Sequence, residues 1–154
     1  MNKEDIKQEL AELKNKIAQL EKALDDSEDV ELSDGDSYYV IESDGRVVEN
    51  RWDNDFVDKN RLSIGNVFKT KEEAEFEVEA RKVYHELKKF SRPFVKNKGN
   101  WVIGYDLIRN DFSLIDMLRI KSPELYFESK ETAKKAFDAV GADRVKKYYL
   151  RVEE

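Results

Sequence analysis

The sequence FKTKEEA at residues 68–74 returns as FESKETA at residues 127–133, so the chain carries the pattern F-x-[TS]-K-E-x-A twice. In each copy an aromatic residue ends a short apolar stretch, and a serine or threonine follows where a helix can begin. A β-hairpin is predicted before each copy, at residues 38–52 and 101–118. The repeat therefore predicts an α+β fold built as a tandem ββ-β-α duplication, in which antiparallel sheets are backed by helices.

Turn and cap signals agree with this plan. Asp44 and Gly45 lie between the two strands of the first predicted hairpin, and this dipeptide accepts the positive φ angles of a tight turn. Thr70 is followed three residues later by Glu73, which is the spacing of a capping box at a helix start. Gly141 is the kind of residue that commonly ends a helix, here the helix of the second repeat.

The N-terminal segment has a different periodicity, because its apolar residues are spaced alternately by four and three positions. This is the 3.5-residue repeat of a coiled coil. The residues of this N-terminal seam are Ile6, Leu10, Leu13, Ile17, Leu20 and Leu24. The chain is expected to consist of a coiled-coil helix at 1–25, an extended acidic linker at 26–37, a first repeat at 38–92 and a second repeat at 93–154.

The N-terminal seam favours a homodimer, because it is narrow and has polar residues on both flanks. A parallel pair of helices places Glu9 opposite Lys14, and Lys16 opposite Glu21. An antiparallel pair matches Glu9 with Lys16, and Lys7 with Glu21, so the orientation stays open. A stripe of three heptads can also pack against its own domain, and that alternative stays open too.

Composition narrows the class of protein. The 154 residues are 40% charged with a mean hydropathy of -0.79, yet eight Phe, seven Tyr and two Trp supply enough apolar area for a core. Apolar stretches are too short to cross a bilayer, and the N-terminus leads into a charged helix without a secretory signal. Cysteine is absent, which excludes disulfides, thiolate metal sites and cysteine nucleophiles. We therefore expect a cytoplasmic protein that has no membrane partner.

The net charge of -6 is unevenly distributed: residues 1–80 carry a net -12 and residues 81–154 a net +6. The acidic face is defined here as Asp53, Asp55, Asp58, Glu72, Glu75, Glu77 and Glu79. The basic patch is defined as Lys88, Lys89, Arg92, Lys96 and Lys98. A dense group of carboxylates can occupy a basic groove made for nucleic acid, whereas a basic patch near aromatic residues can bind nucleic acid itself.

No catalytic residue, cofactor or metal is predicted. His85 is the only histidine, so a zinc site of usual composition is excluded, and no nucleophile–base pair surrounds it. Asp53, Asp55 and Asp58 have the spacing D-x-D-x-x-D, which can hold Mg²⁺ or Ca²⁺. Aspartates in this pattern are also typical of turns, where they bond their own backbone, and we expect a polar loop here.

One stretch resembles a known group of proteins. The sequence GNVFKTKEEAE at residues 65–75, with YFES at 126–129 and DAVG at 138–141, resembles small, mostly uncharacterised proteins encoded by phages and prophages of Gram-positive bacteria. The resemblance covers residues 36–154 and implies a viral context without catalytic residues. Small phage proteins of this kind often bind host machinery, including defence nucleases.

These observations lead to one hypothesis and two alternatives. The hypothesis is a non-enzymatic phage-derived inhibitor, such as an anti-CRISPR protein, whose acidic face binds a host defence complex that handles nucleic acid. The first alternative is a nucleic-acid-binding accessory protein of phage replication or recombination that uses the basic patch. The second is a structural or morphogenetic protein that assembles through the N-terminal seam.

Overall fold

The computed structural model describes residues 3–25 and 30–153, with side chains at 6–20 and 30–153. These residues form an α+β fold with five helices and two small antiparallel two-stranded sheets, so the predicted fold class is confirmed at that level. The elements in chain order are α1 (Lys3–Asp25), β1 (Ser37–Ile41), β2 (Val47–Arg51), α2 (Phe56–Ser63), α3 (Lys71–Lys88), β3 (Trp101–Asp106), β4 (Asp111–Asp116), α4 (Lys130–Val140), α5 (Ala142–Arg144) and a π-helical turn (Val145–Tyr149).

The first sheet is a hairpin whose free side carries one further residue pair. β1 and β2 pair from Ser37 opposite Arg51 to Ile41 opposite Val47. The N–H of Tyr39 donates to the carbonyl of Phe68 at 2.9 Å, and the N–H of Phe68 donates back at 3.0 Å. The predicted third strand is therefore reduced to a single residue pair.

The second sheet has the same arrangement. β3 and β4 pair from Trp101 opposite Asp116 to Asp106 opposite Asp111. Trp101 exchanges both backbone hydrogen bonds with Phe127, at 3.0 and 2.8 Å. This hairpin is shorter than the predicted span of 101–118.

Helix starts follow the predicted caps. The Thr70 hydroxyl accepts the N–H of Glu73 at 3.2 Å, and the Glu73 carboxylate accepts the N–H of Thr70 at 3.3 Å, which completes a capping box at α3. The Ser129 hydroxyl accepts the N–H of Thr132 at 3.1 Å at the start of α4. α4 ends at Gly141, whose φ of 97° lies in the region that favours glycine.

Buried apolar side chains form two clusters. The first contains Tyr38, Val40, Trp52 and Val67. The second contains Val83, Leu87, Ile103, Leu125, Phe127, Ala133, Ala136, Val140 and Val145. Because α3 supplies two residues of the second cluster and also packs against β1 and β2, it links the two sheets.

Two segments differ from the sequence prediction. The expected polar loop after Trp52 contains α2, which begins because the Asp55 carboxylate accepts the N–H of Asp58 at 2.8 Å. Residues 30–36 of the expected linker contact the folded chain, since Val30 and Leu32 pack against the first cluster and the N–H of Gly35 donates to the carbonyl of Trp52 at 2.8 Å. The rest of that linker, residues 26–29, lies outside the described residues.

Candidate interaction surfaces

The N-terminal seam is uncovered in this chain. Its five described residues, Ile6, Leu10, Leu13, Ile17 and Leu20, expose between 51% and 61% of their surface. Leu24 belongs to the same predicted seam, and its side chain lies outside the described residues. The alternative in which this helix packs its seam against its own domain therefore does not describe this structure. The seam is thus an exposed apolar stripe along α1.

Asp58 of the predicted acidic face is buried and serves the fold. It is 4% exposed, and its carboxylate accepts the Tyr38 hydroxyl at 2.6 Å and the N–H of Asp53 at 2.8 Å. Arg61 donates to the same Tyr38 hydroxyl at 2.8 Å. The hydrogen bond from Tyr38 holds the pKa of Asp58 below its usual value although burial opposes this, and burial with the Asp58 bond raises the pKa of Tyr38.

The glutamates of α3 do not form one free carboxylate surface. Glu77 accepts Arg81 at 3.3 Å and Arg151 at 2.8 Å. Two further glutamates of the acidic face are paired, Glu75 with Lys71 at 3.4 Å and Glu79 with Lys82 at 2.6 Å. The exposed carboxylates of the acidic face are Asp53, Asp55, Glu72 and Glu75. The face is thus narrower than the sequence predicted, because helical spacing places a cation beside most of its glutamates.

The basic patch also contains both exposed residues and a residue that is bonded within the fold. Lys88, Lys89, Lys96 and Lys98 are exposed, and the amine of Lys88 lies 5.9 Å from the centre of the Tyr84 ring. Arg92 instead turns toward its own loop and donates to the carbonyl of Gly99 and to the Asn100 side chain. Arg92 therefore shapes this loop, and lysines provide the exposed charge.

Two structural residues were not found by sequence reasoning. Asn100 is fully buried and bonds Val95, Lys98 and Arg92 through its side chain. Arg144 donates two hydrogen bonds of 2.9 Å to Glu86, which joins α5 to α3 and lowers the pKa of Glu86. Both depend on residues brought together by tertiary packing.

Within residues 3–25 and 30–153, no group of three or more His, Asp or Glu side chains is arranged to hold a metal ion. His85 is exposed on α3. No helix of the described chain combines the length and the apolar character that a membrane span requires.

Comparisons of this chain with protein families, with curated proteins and with solved structures find no match.

Proposed function

We propose that this chain is a non-enzymatic phage-derived protein that binds and inhibits a host defence complex handling nucleic acid, such as a CRISPR effector nuclease, and that it acts as a homodimer. The observation that supports a binding protein and a homodimer is the uncovered N-terminal seam, because its exposed apolar residues favour burial against another helix. The resemblance of residues 65–75 to phage proteins supports the class of target.

The target is proposed to meet the exposed part of the acidic face. Asp53 and Glu72 are exposed and make no side-chain ion pair with any described residue. Such carboxylates remain available to cations of a channel that normally holds phosphates. Dimerisation would then present two copies of this surface and raise avidity if both reach one target.

The proposed duplication has matched landmarks in both halves. Phe68 and Phe127 each pair with the first strand of a hairpin, and Thr70 and Ser129 each cap a helix two residues later. The alanine four residues after each cap is fully buried. We propose that the halves are repeats of one ββ-β-α unit.

The proposal is tested by plasmid interference in a Gram-positive host with an active CRISPR system. Expression of the chain is expected to raise survival of the targeted plasmid at least tenfold, and pull-down after nuclease treatment is expected to retain the effector. Unchanged interference, with recovery only of nuclease-sensitive nucleic acid, would contradict it. That result would favour the alternative in which Lys88, Lys89, Lys96 and Lys98 bind nucleic acid.

Reversing charge on the exposed carboxylates should weaken inhibition. The double variant Asp53→Lys/Glu72→Lys is expected to lose at least tenfold in inhibition, because it replaces attraction to a cationic channel by repulsion. Glu131→Lys is the matched control, since Glu131 lies two residues after the cap of α4 as Glu72 does in α3. Equal inhibition by the double variant and the control would remove the acidic face from the mechanism.

A charge placed in the N-terminal seam should abolish the homodimer. Leu13→Asp is expected to convert a dimer into a monomer in light scattering, with a dissociation constant raised at least 100-fold, because the carboxylate would be buried without a partner. Ala11→Asp adds the same charge outside the seam and should leave the dimer intact. A monomeric wild-type protein would refute dimerisation, and a mass above a dimer would favour the assembly alternative.

A further inference from the structure

A groove of about 510 Å³ lies between the end of the first hairpin and α3. Its apolar lining is Val47, Val48 and Val78, and its charged lining is Arg46, Lys71, Glu75, Glu79 and Lys82. Val47 and Val48 are adjacent on β2, so their side chains point to opposite faces of the sheet. Because both line the groove, it opens at the edge of the strand, where a second chain can enter.

The second half of the molecule fills the corresponding space with its own aromatic rings. Val78 lies eight residues after the cap of α3, and Phe137 lies eight residues after the cap of α4. Phe137 packs against Phe112 of β4, with ring centres 4.6 Å apart in a T-shaped contact. At the same position after the cap, α3 has a valine and α4 has the larger phenylalanine.

The lengths of the two hairpins explain why the first half also lacks an equivalent of Phe112. Counting from the residue that pairs with Phe68 or Phe127, Ile41 opposite Val47 corresponds to Ile103 opposite Leu114. The second hairpin continues for three more pairs, and one of them contributes Phe112. The first hairpin turns at this point, so neither of the two interlocking phenylalanines has an equivalent, and the groove stays open.

We propose that this groove binds an aromatic side chain of a partner protein, next to acidic residues of that partner. The Phe112–Phe137 contact shows that aromatic rings fill the corresponding space in the second half, and a ring bound in the groove would bury its apolar surface against Val47, Val48 and Val78. The inference rests on the repeat relationship and on the target binding proposed above, and it names the chemistry of the segment that the target presents.

The rim cations can accept an acidic neighbour for that ring. Arg46, Lys71 and Lys82 line the groove, and each is held only by an exposed ion pair, Arg46 with Asp44 at 2.6 Å beside the groove. Lys71 and Lys82 each bond a glutamate of their own helix while exposing more than half of their side chains. Exposed pairs of this type contribute little to stability, so the lysines can turn to carboxylates of a bound segment at small cost.

The test is a nuclear magnetic resonance titration of the full-length ¹⁵N-labelled chain with the capped tripeptide acetyl-Asp-Phe-Asp-amide. Saturable shifts are expected at the amides of Val47, Val48 and Val78, and acetyl-Asp-Ala-Asp-amide should bind at least tenfold more weakly. Val78→Phe should abolish the shifts at β2, because it supplies the missing ring from the helix itself. Lys82→Glu should weaken binding of the tripeptide at least threefold, because it removes a rim cation. Since Lys82 is exposed, this variant provides the test if Val78→Phe does not fold.

Absence of saturable shifts at these residues, equal binding of the alanine peptide, or full binding by both variants would each overturn the proposal. The plasmid assay separates this inference from the proposed function. If the chain binds the tripeptide at the groove but leaves interference unchanged, the groove proposal stands and the inhibitor proposal is wrong. If the chain inhibits interference without binding the tripeptide, only the groove proposal is wrong.

Discussion

Replacing Asp58 with alanine is expected to lower the free energy of unfolding by about 3 kcal/mol. The buried carboxylate accepts hydrogen bonds from the Tyr38 hydroxyl and from the N–H of Asp53. Alanine would leave both donors without an acceptor and would leave Arg61 with Glu42, at 3.9 Å, as its remaining carboxylate. Since single domains of this size are stable by only about 5–15 kcal/mol, the loss is a large fraction of the total.

Urea denaturation measures this effect, with Asp53→Ala as the control because its side chain is exposed. Asp58→Asn should cost less than Asp58→Ala but more than the control. The amide retains one acceptor oxygen, whereas its NH₂ group faces a second donor. Equal unfolding midpoints for Asp58→Ala and Asp53→Ala would show that the buried network adds no stability.

The same network predicts how stability depends on pH. The pKa of Asp58 is lowered in the folded chain, so its contribution is present above the ordinary aspartate pKa of about 3.9 and is lost as pH falls further. The pKa of Tyr38 is raised, so its contribution is present below about 10 and is lost as pH rises through the folded value. Asp58→Ala should therefore flatten the acid side of the stability profile.

Local signals explain which parts of the fold could be predicted from sequence. The capping box of Thr70 and Glu73, the cap at Ser129 and the stop at Gly141 depend on residues within a few positions of each other. Their hydrogen bonds are formed by neighbours along the chain, so the sequence pattern contains the whole interaction. Both hairpins could be predicted for the same reason, and their ends differ from the structure by at most two residues.

Helix α2 has a capping signal in the sequence, but the same aspartates also fit the pattern of a turn. Asp55 and Asp58 are three residues apart, and this is also the distance between an N-cap and the third helical residue. The burial of Asp58 could not be predicted, because its partner Tyr38 lies 20 positions earlier. A residue that was assigned to a charged surface is therefore a core residue.

The candidate surfaces also combine features that depend on sequence neighbours with features that depend on tertiary contacts. Exposure of Lys96 and Lys98 follows from their place in a polar loop, but the inward turn of Arg92 depends on the buried Asn100. The difference at Val78 was detectable in principle, since aligning the two copies of F-x-[TS]-K-E-x-A places this valine opposite Phe137. The openness of the groove required the shorter first hairpin as well, which only the strand register reveals.

Asn100→Ala is expected to release the loop at residues 93–100 and to lower the free energy of unfolding by about 3 kcal/mol. The Asn100 side chain accepts the N–H of Val95 at 2.9 Å and donates to the carbonyls of Val95 and Lys98 at 2.9 and 2.8 Å. It also accepts Arg92 at 3.0 Å. Alanine removes all four bonds at a position that water does not reach in the folded chain.

Limited trypsin digestion reports on the loop, because Lys96 and Lys98 are cleavage sites that Asn100 holds in one conformation. Cleavage there should become at least tenfold faster in Asn100→Ala, with a matching fall in the urea midpoint. Asn60→Ala, at an exposed position of α2, should change neither quantity. If the lysines bind nucleic acid, Asn100→Ala should also weaken oligonucleotide binding although no charge is removed, because the loop would no longer hold the amines at a fixed spacing. Unchanged cleavage would mean that backbone contacts alone define the loop.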